Sequence, residues 1–173
     1  MRTDLEPGKG WTKAYCLGCE DSRCIFKPME VSRRPLGEKD IRFEMKYCGV
    51  CHSDLHIAAG HMDGLIPLEY EVIPGHELAG VVTEVGRGVS KFKRGDHIGV
   101  GCMIDSCLEC KFCKAGEEQK CAKQVQTYQG KDWSGRVPTI DGKLSAGGYS
   151  SQMVVQERFG IKIPQEYPLE YAG

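Results

Sequence analysis

The sequence has no apolar run long enough to cross a bilayer. Its opening, MRTDLEPGKG, mixes Arg2, Asp4 and Glu6 and contains no apolar core of a secretory leader. Charge of one sign is also scarce. The formal net charge is −1 and the isoelectric point about 6.5. Lys and Arg are scattered, with only small clusters such as Lys91, Lys93 and Arg94, which argues against nucleic acid as the main partner. There is no internal repeat, no low-complexity segment and no G-x-G-x-x-G phosphate turn. Gly86-Arg87-Gly88 comes nearest, but Lys91 occupies the third glycine position. These absences leave a soluble, cytoplasmic protein without a membrane partner as the expectation. The 173 residues suffice for one domain with a real core.

What is present reads mainly as strand. Lys13 to Cys19, Phe26 to Arg33, Asp40 to Tyr47, Leu78 to Val85, Asp96 to Val100 and Ser150 to Val155 are apolar, alternating or rich in β-branched residues. The 22 glycines and 8 prolines punctuate them every ten residues or so. That spacing predicts a β-barrel or sandwich with few helices. His52 to Ala59 reads as a helical turn, and Gln124 to Gly147 as a long polar loop.

Four of the 10 cysteines, Cys107, Cys110, Cys113 and Cys121, follow the pattern C-x-x-C-x-x-C-x7-C. Thiolates at this spacing can converge on one ion, and zinc accepts four of them with no position left for water. Two disulfides or free thiols are the alternatives; the absence of a leader favours metal.

A second constellation is CGVCHSDLH followed by PGHE. Cys51 and His76 lie 24 intervening residues apart, each beside a turn-forming glycine. A thiolate and an imidazole suit zinc or iron, and a catalytic zinc keeps an open position. Glu77 follows as a further ligand or nearby carboxylate, and Asp54 is a candidate acceptor behind the histidine. One buried cysteine and one hydrogen-bonded histidine would satisfy the same pattern. Cys48 and Cys51 also form a C-x-x-C, the spacing of a redox pair, but no thioredoxin-like context surrounds it.

Taken in order, CGVCHSDLH, PGHELAGVVTEVG, GDHIGVG, the four-cysteine stretch and GGYSSQMVV resemble the zinc-dependent medium-chain alcohol dehydrogenases, most closely the cinnamyl alcohol dehydrogenase branch. The resemblance runs from about Trp11 to Gly173. It implies a GroES-like catalytic domain: a mainly β, twisted, partly barrel-like fold with short helices and a zinc-binding cysteine lobe. It assigns Cys51 and His76 to the catalytic zinc, Glu77 to a carboxylate beside that zinc, and Asp54 to the partner of the ligating histidine. Ser53 resembles the hydroxyl that takes the alcohol proton, His56 the relay that passes it on, and His52 a cofactor contact. Cys107, Cys110, Cys113 and Cys121 resemble the ligands of a structural zinc. The implied substrate is a primary alcohol or aldehyde, the implied cofactor NADP or NAD, and the implied parent a homodimer.

The chain also departs from that pattern. Family members continue into a nucleotide-binding Rossmann domain, and they place a third catalytic zinc ligand, a cysteine, beyond the segment that ends at Gly173. The expectation is therefore a truncated catalytic domain over residues 1–173, inactive alone, with the site at Cys51, His76 and Glu77 empty or weakly held. An apolar wall near His52, Ser53, His56 and Ile161 to Gly173 is expected to be uncovered, with the last residues frayed. Lys131 to Gly147 is longer than the common pattern. Cys16, Cys19 and Cys24 match no family role and read as free buried thiols. Two other classes compete: a zinc-ribbon interaction module and a GroES-like chaperonin cap. The first needs a basic or aromatic face, whereas the cysteine stretch balances Glu109, Glu117 and Glu118 against Lys111, Lys114 and Lys120. The second needs no zinc.

Overall fold

The run Thr12–Gly18 (β1) turns Ala14, Cys16 and Gly18 inward and the residues between them outward. It pairs antiparallel with Lys27–Arg33 (β2), from Thr12 opposite Arg33 to Gly18 opposite Lys27. The computed structural model describes residues 10–66, 68–131 and 144–173. Further strands follow: Asp40–Cys48 (β3), Leu78–Val85 (β4), His97–Val100 (β5), Met103–Asp105 (β6), Val125–Gln126 (β7), Gln152–Gln156 (β8) and Gly160–Ile163 (β9). The helices are His52–Ala58 (α1) and Lys111–Lys114 (α2). No helix among the described residues is long and apolar enough to cross a membrane.

Five strands form one antiparallel sheet in the order β8–β3–β4–β5–β9, while β6 pairs with β7 separately. Residues at period-two positions point to one core: Ile41 and Phe43 of β3, Leu78 and Val82 of β4, Ile98 of β5 and Met153 of β8 are all at most 1% exposed. Burying a side chain of this size contributes about 1.5–3 kcal/mol. Register shifts between Arg42 and Phe43 and between Met45 and Tyr47 interrupt the β3–β4 ladder, as bulges do.

The barrel expected from strand spacing does not close among the described residues. β8 and β9 lie at opposite ends of the sheet. The chain entering β8 meets the β1–β2 hairpin instead: Leu17 N–H donates to Tyr149 O (2.8 Å) and Ser151 N–H to Tyr15 O (2.7 Å). Buried Arg33 fixes this junction. Its guanidinium donates to the carbonyls of Gln152, Ala146 and Gly147 and to Ser150 Oγ. Burial lowers its pKa to about 10, so it still carries its charge at neutral pH.

The expected strands appear within a residue or two of their anticipated bounds, and Leu78–Val85 matches at both ends. β6, β7 and β9 were not expected. β7 and the buried Thr127 and Gln129 interrupt the anticipated loop from Gln124 to Gly147, whose residues 132–143 lie outside the described ones. Exposed apolar side chains do occur in the segments expected to form an uncovered wall, at Val50, Leu55, Ile161, Tyr167 and Tyr171. The C-terminal segment, however, forms a 3-10 turn over Leu169–Tyr171 that buries Leu169.

Candidate functional site

In the cysteine lobe, local turns gather the four sulfurs. Leu108 adopts φ +61°, α2 begins directly after Cys110, and a 3-10 turn over Glu118–Lys120 returns the chain to Cys121. Cys113 Sγ stands 3.5 Å from Cys110 Sγ and 3.8 Å from Cys107 Sγ, and Cys121 Sγ stands 3.5 Å from Cys107 Sγ. With a zinc–sulfur bond of about 2.3 Å, the edge of a regular tetrahedron is about 3.8 Å. The spacing therefore fits zinc and excludes disulfides, whose sulfurs lie about 2.05 Å apart; all four cysteines are free. The N–H groups of Cys110 and Lys123 each donate to a sulfur at 3.3 Å. Backbone N–H groups of Glu109 and Cys110 hold the Cys107 thiol down, to about 6, whereas burial pushes Cys113 up, to about 11. Arg158 ties the lobe to the turn after β8, donating to Cys113 O at 3.1 Å and Glu118 Oε1 at 2.7 Å.

The second centre joins the start of α1 to the loop before β4. Cys51 is the N-cap of α1, and its backbone N–H donates to Asp54 Oδ2 at 3.0 Å. Ser53 is thus not the cap. Its hydroxyl is free to point at Cys51 Sγ (3.3 Å) and lies 3.5 Å from His76 Nε2. Gly75 places His76: at φ +98°, with a hypothetical Cβ 2.7 Å from Tyr149 N, only glycine fits this turn. Ligand atoms of Cys51, His76 and Glu77 lie within 4.8 Å of one another. A sulfur, a nitrogen and a carboxylate oxygen with one side open are a donor set that zinc accepts.

Asp54 organises this centre. It is 1% exposed. Oδ1 accepts Gly75 N–H at 3.0 Å, and Oδ2 accepts Tyr149 O–H at 3.0 Å in addition to the Cys51 amide. His76 Nδ1 stands 3.3 Å from Asp54 Oδ1, within ion-pair range, but without the alignment of a hydrogen bond. Burial, then the charge of Asp54, pushes the Tyr149 hydroxyl well above its ordinary range, so it remains a donor. Tyr128 completes the network: its O–H donates to Ser53 Oγ at 3.3 Å and its ring packs against His76 with centroids 5.3 Å apart.

Ser53 and His76 face a cavity of about 380 Å³, which Tyr128, Cys102, Met62 and Ile66 also line. Its volume suits a small organic ligand. The structure thus gathers Cys51, Ser53, Asp54, His76 and Glu77, and leaves His52 and His56 outside that cluster. Both are exposed and stack on each other at 4.7 Å, and His56 Nδ1 meets His61 Nδ1 at 3.1 Å. Cys48 lacks the environment of a reactive thiol. Burial pushes its thiol up to about 11, whereas a reactive thiol needs the opposite shift. Of the three cysteines expected to be buried, Cys16 and Cys19 are, and Cys24 is half-buried in a turn at φ +56°. Tyr128 was missed because its segment reads as loop. Tyr149 lies in GGYSSQMVV, a stretch to which the resemblance attaches no side-chain role.

Residues 37–165 match the family model described as the alcohol dehydrogenase GroES-like domain. Cinnamyl alcohol dehydrogenase 8 of Arabidopsis thaliana is 43% identical over 161 residues, covering 93% of this chain and 42% of that protein. Mannitol dehydrogenase of Petroselinum crispum is 45% identical over 146 residues, covering 84% and 40%. Among solved structures, a cinnamyl alcohol dehydrogenase from Sorghum bicolor superposes with a TM-score of 0.84 at 37% identity, covering 93% of this chain and 43% of that one. The protein named CAD from Helicobacter pylori, complexed with NADP(H), gives 0.83 at 40%, covering 94% and 44%. The chain spans about two fifths of the length of the curated relatives it matches. By sequence and by architecture, the chain belongs to the alcohol dehydrogenase GroES-like domain family.

Proposed function

We propose that this chain is the catalytic domain of a zinc-dependent, NAD(P)-linked alcohol and aldehyde oxidoreductase working in the reducing environment of the cytoplasm. The observation that carries the reading is the Ser53 hydroxyl, set between Cys51 Sγ and His76 Nε2 at the wall of a small-molecule cavity. Cys51, His76 and Glu77 would hold a catalytic zinc, and the four lobe cysteines a structural one. Bound at the first of these sites, zinc supplies Lewis-acid polarisation of an alcohol or carbonyl oxygen.

The chain's own residues account for orientation and proton handling. Asp54 stands 3.3 Å behind His76 Nδ1 and holds the turn before it by accepting the Gly75 amide. Tyr128 donates to Ser53 Oγ, which directs the serine proton toward Cys51 and leaves the hydroxyl able to exchange it with a substrate hydroxyl in the cavity. His56 and His52, exposed on α1, are proposed as the onward relay and a cofactor contact. A primary alcohol or aldehyde is the proposed substrate. NADP is favoured by the likeness to a protein complexed with NADP(H). We assign the hydride carrier's own pocket to residues outside these 173, because the sequence has no glycine-rich phosphate turn.

Cofactor reduction, followed by absorbance with a panel of aliphatic and aromatic alcohols, tests this. The 173 residues alone should show no turnover, because nothing fixes the nicotinamide against the substrate. In a longer chain that carries this domain, Ser53→Ala should lower kcat by about 10²–10⁴-fold with little change in substrate binding. His56→Ala should cost less, and its effect should fade at high pH. Turnover by the 173 residues alone would overturn the assignment of the cofactor pocket. An unchanged kcat in Ser53→Ala would remove the serine from the proton path.

A further inference from the structure

Three of the five histidines, His52, His56 and His61, fall within ten residues on α1 and the turn that ends it. The cysteine-bearing centres use none of them as ligands. The turn is a Schellman motif: His61 N–H donates to His56 O at 2.9 Å and Gly60 N–H to Ile57 O at 3.2 Å, with Gly60 at φ +75°. This motif folds the second residue past the helix back over the last turn, where an apolar pair commonly meets. Here the pair is two imidazoles. His56 Nδ1 and His61 Nδ1 face each other at 3.1 Å, and both residues are exposed.

We propose that His56 and His61 form a two-histidine site for a borderline divalent cation of the Ni²⁺, Cu²⁺ or Zn²⁺ class. With metal–nitrogen bonds of about 2.0–2.1 Å, adjacent donors stand about 3.3 Å apart on a tetrahedron and about 2.8–2.9 Å apart in a square plane. The 3.1 Å separation lies between these. The turn's backbone hydrogen bonds already bring the two residues together, so binding requires that each imidazole take its Nε2–H tautomer and turn its Nδ1 lone pair toward the ion. His52 stacks its ring face on His56 at 4.7 Å and 22°. Its in-plane lone pairs therefore do not converge on the same point, and the site is bidentate, completed by water. The inference rests on this turn alone, and because its test reads metal binding and not turnover, it can fail without the proposed activity failing.

Nickel added to the zinc-saturated 173-residue chain is the probe. Paramagnetic broadening of amide signals by NMR should centre on His56 to Met62, and calorimetry should give one Ni²⁺ per chain at this turn. His61→Gln should weaken that binding by about 100-fold through loss of chelation, with zinc content and thermal unfolding unchanged. His56→Gln should match it. His52→Gln should leave it intact. Broadening centred elsewhere, or nickel binding indifferent to His61→Gln, would overturn the site and leave the contact as an N–H···N hydrogen bond between two histidines.

Discussion

The two cysteine-bearing centres are assembled in opposite ways. The lobe draws four like donors from one short stretch, Cys107 to Cys121, and turns with little outside help bring the sulfurs to tetrahedral spacing. The other centre joins Cys51 to His76 and Glu77 across two segments and depends on a buried carboxylate for its shape. One set has no face left for a further ligand; the other opens on a cavity. The contrast separates two uses of the same chemistry. A closed set of thiolates makes an ion part of the fold, while a mixed and open set leaves a coordination position for something to exchange.

The strongest way to break this comparison is to remove a lobe donor. Structural zinc contributes on the order of 10 kcal/mol to the folding of its lobe. Cys110→Ser should therefore abolish one tightly held zinc and expose the amides of Asp105 to Lys123 to rapid hydrogen exchange, while the β3–β4 core stays protected. In the unsubstituted chain, a graded chelator should strip metal from the Cys51 centre first. Metal analysis that shows the lobe losing its zinc before the open centre would reverse the assignment of structural and exchangeable sites.

The same contrast governs what the sequence makes legible. The lobe can be read from spacing alone, because its geometry is local. β4 can be read because its apolar and β-branched residues run together, with Leu78, Ala79, Gly80 and Val82 buried and only Glu84 exposed, so its composition carries the signal. The short strands β6 and β7 cannot, since two or three residues establish no period, and in β9 only Gly160 is buried, so no apolar run marks it. At the open centre the motif residues Cys51, Ser53, Asp54, His76 and Glu77 were all legible. The hydroxyls that organise them were not: Tyr128 reaches Ser53 from 75 residues away, and Tyr149 reaches Asp54 from 95. The exposed His56–His61 pair was missed for a different reason. It depends on the exit geometry of one helix turn rather than on a ligand spacing.

A milder perturbation sharpens the comparison from the other side. Asp54→Asn keeps the volume but replaces one accepting oxygen with an NH₂ group, which faces the amide of Cys51 or Gly75 or the Tyr149 hydroxyl. Leaving buried donors unpaired costs about 1–3 kcal/mol each, so the variant should lose about 2–4 kcal/mol in denaturant unfolding. Its lobe should keep its zinc. Tyr149→Phe, which removes one donor and leaves the carboxylate its two amides, should cost about 1 kcal/mol. Equal losses in the two variants would show that Asp54 acts through the tyrosine alone.

The smallest expected effect lies where the lobe meets the sheet. Glu157 opens the turn that carries Arg158, and Arg158 clasps Cys113 O and Glu118. Glu157 Oε2 accepts the N–H groups of Ser90 and Lys91 at 2.9 and 3.0 Å, and Lys39 Nζ lies 3.1 Å from Oε1. Burial by itself would raise the pKa of this carboxyl. The Lys91 and Ser90 amides, with Lys39, outweigh it and hold the pKa below its ordinary value of 4.5. A carboxyl depressed on folding lends stability that is fully present above 4.5 and is lost as pH falls through the lower folded value. Glu157→Gln mimics the protonated state. It should cost less than about 1 kcal/mol at neutral pH, and the gap to the unsubstituted chain should close as pH falls below 4.5. Comparing the two proteins at each pH cancels the acid loss of zinc that both share. Hydrogen exchange should report the loosening around Cys113 and Glu118 and leave the Asp54 network unmoved. A gap that stays constant with pH would mean that the side chain acts through its shape alone and that its charge does not couple the lobe to the sheet.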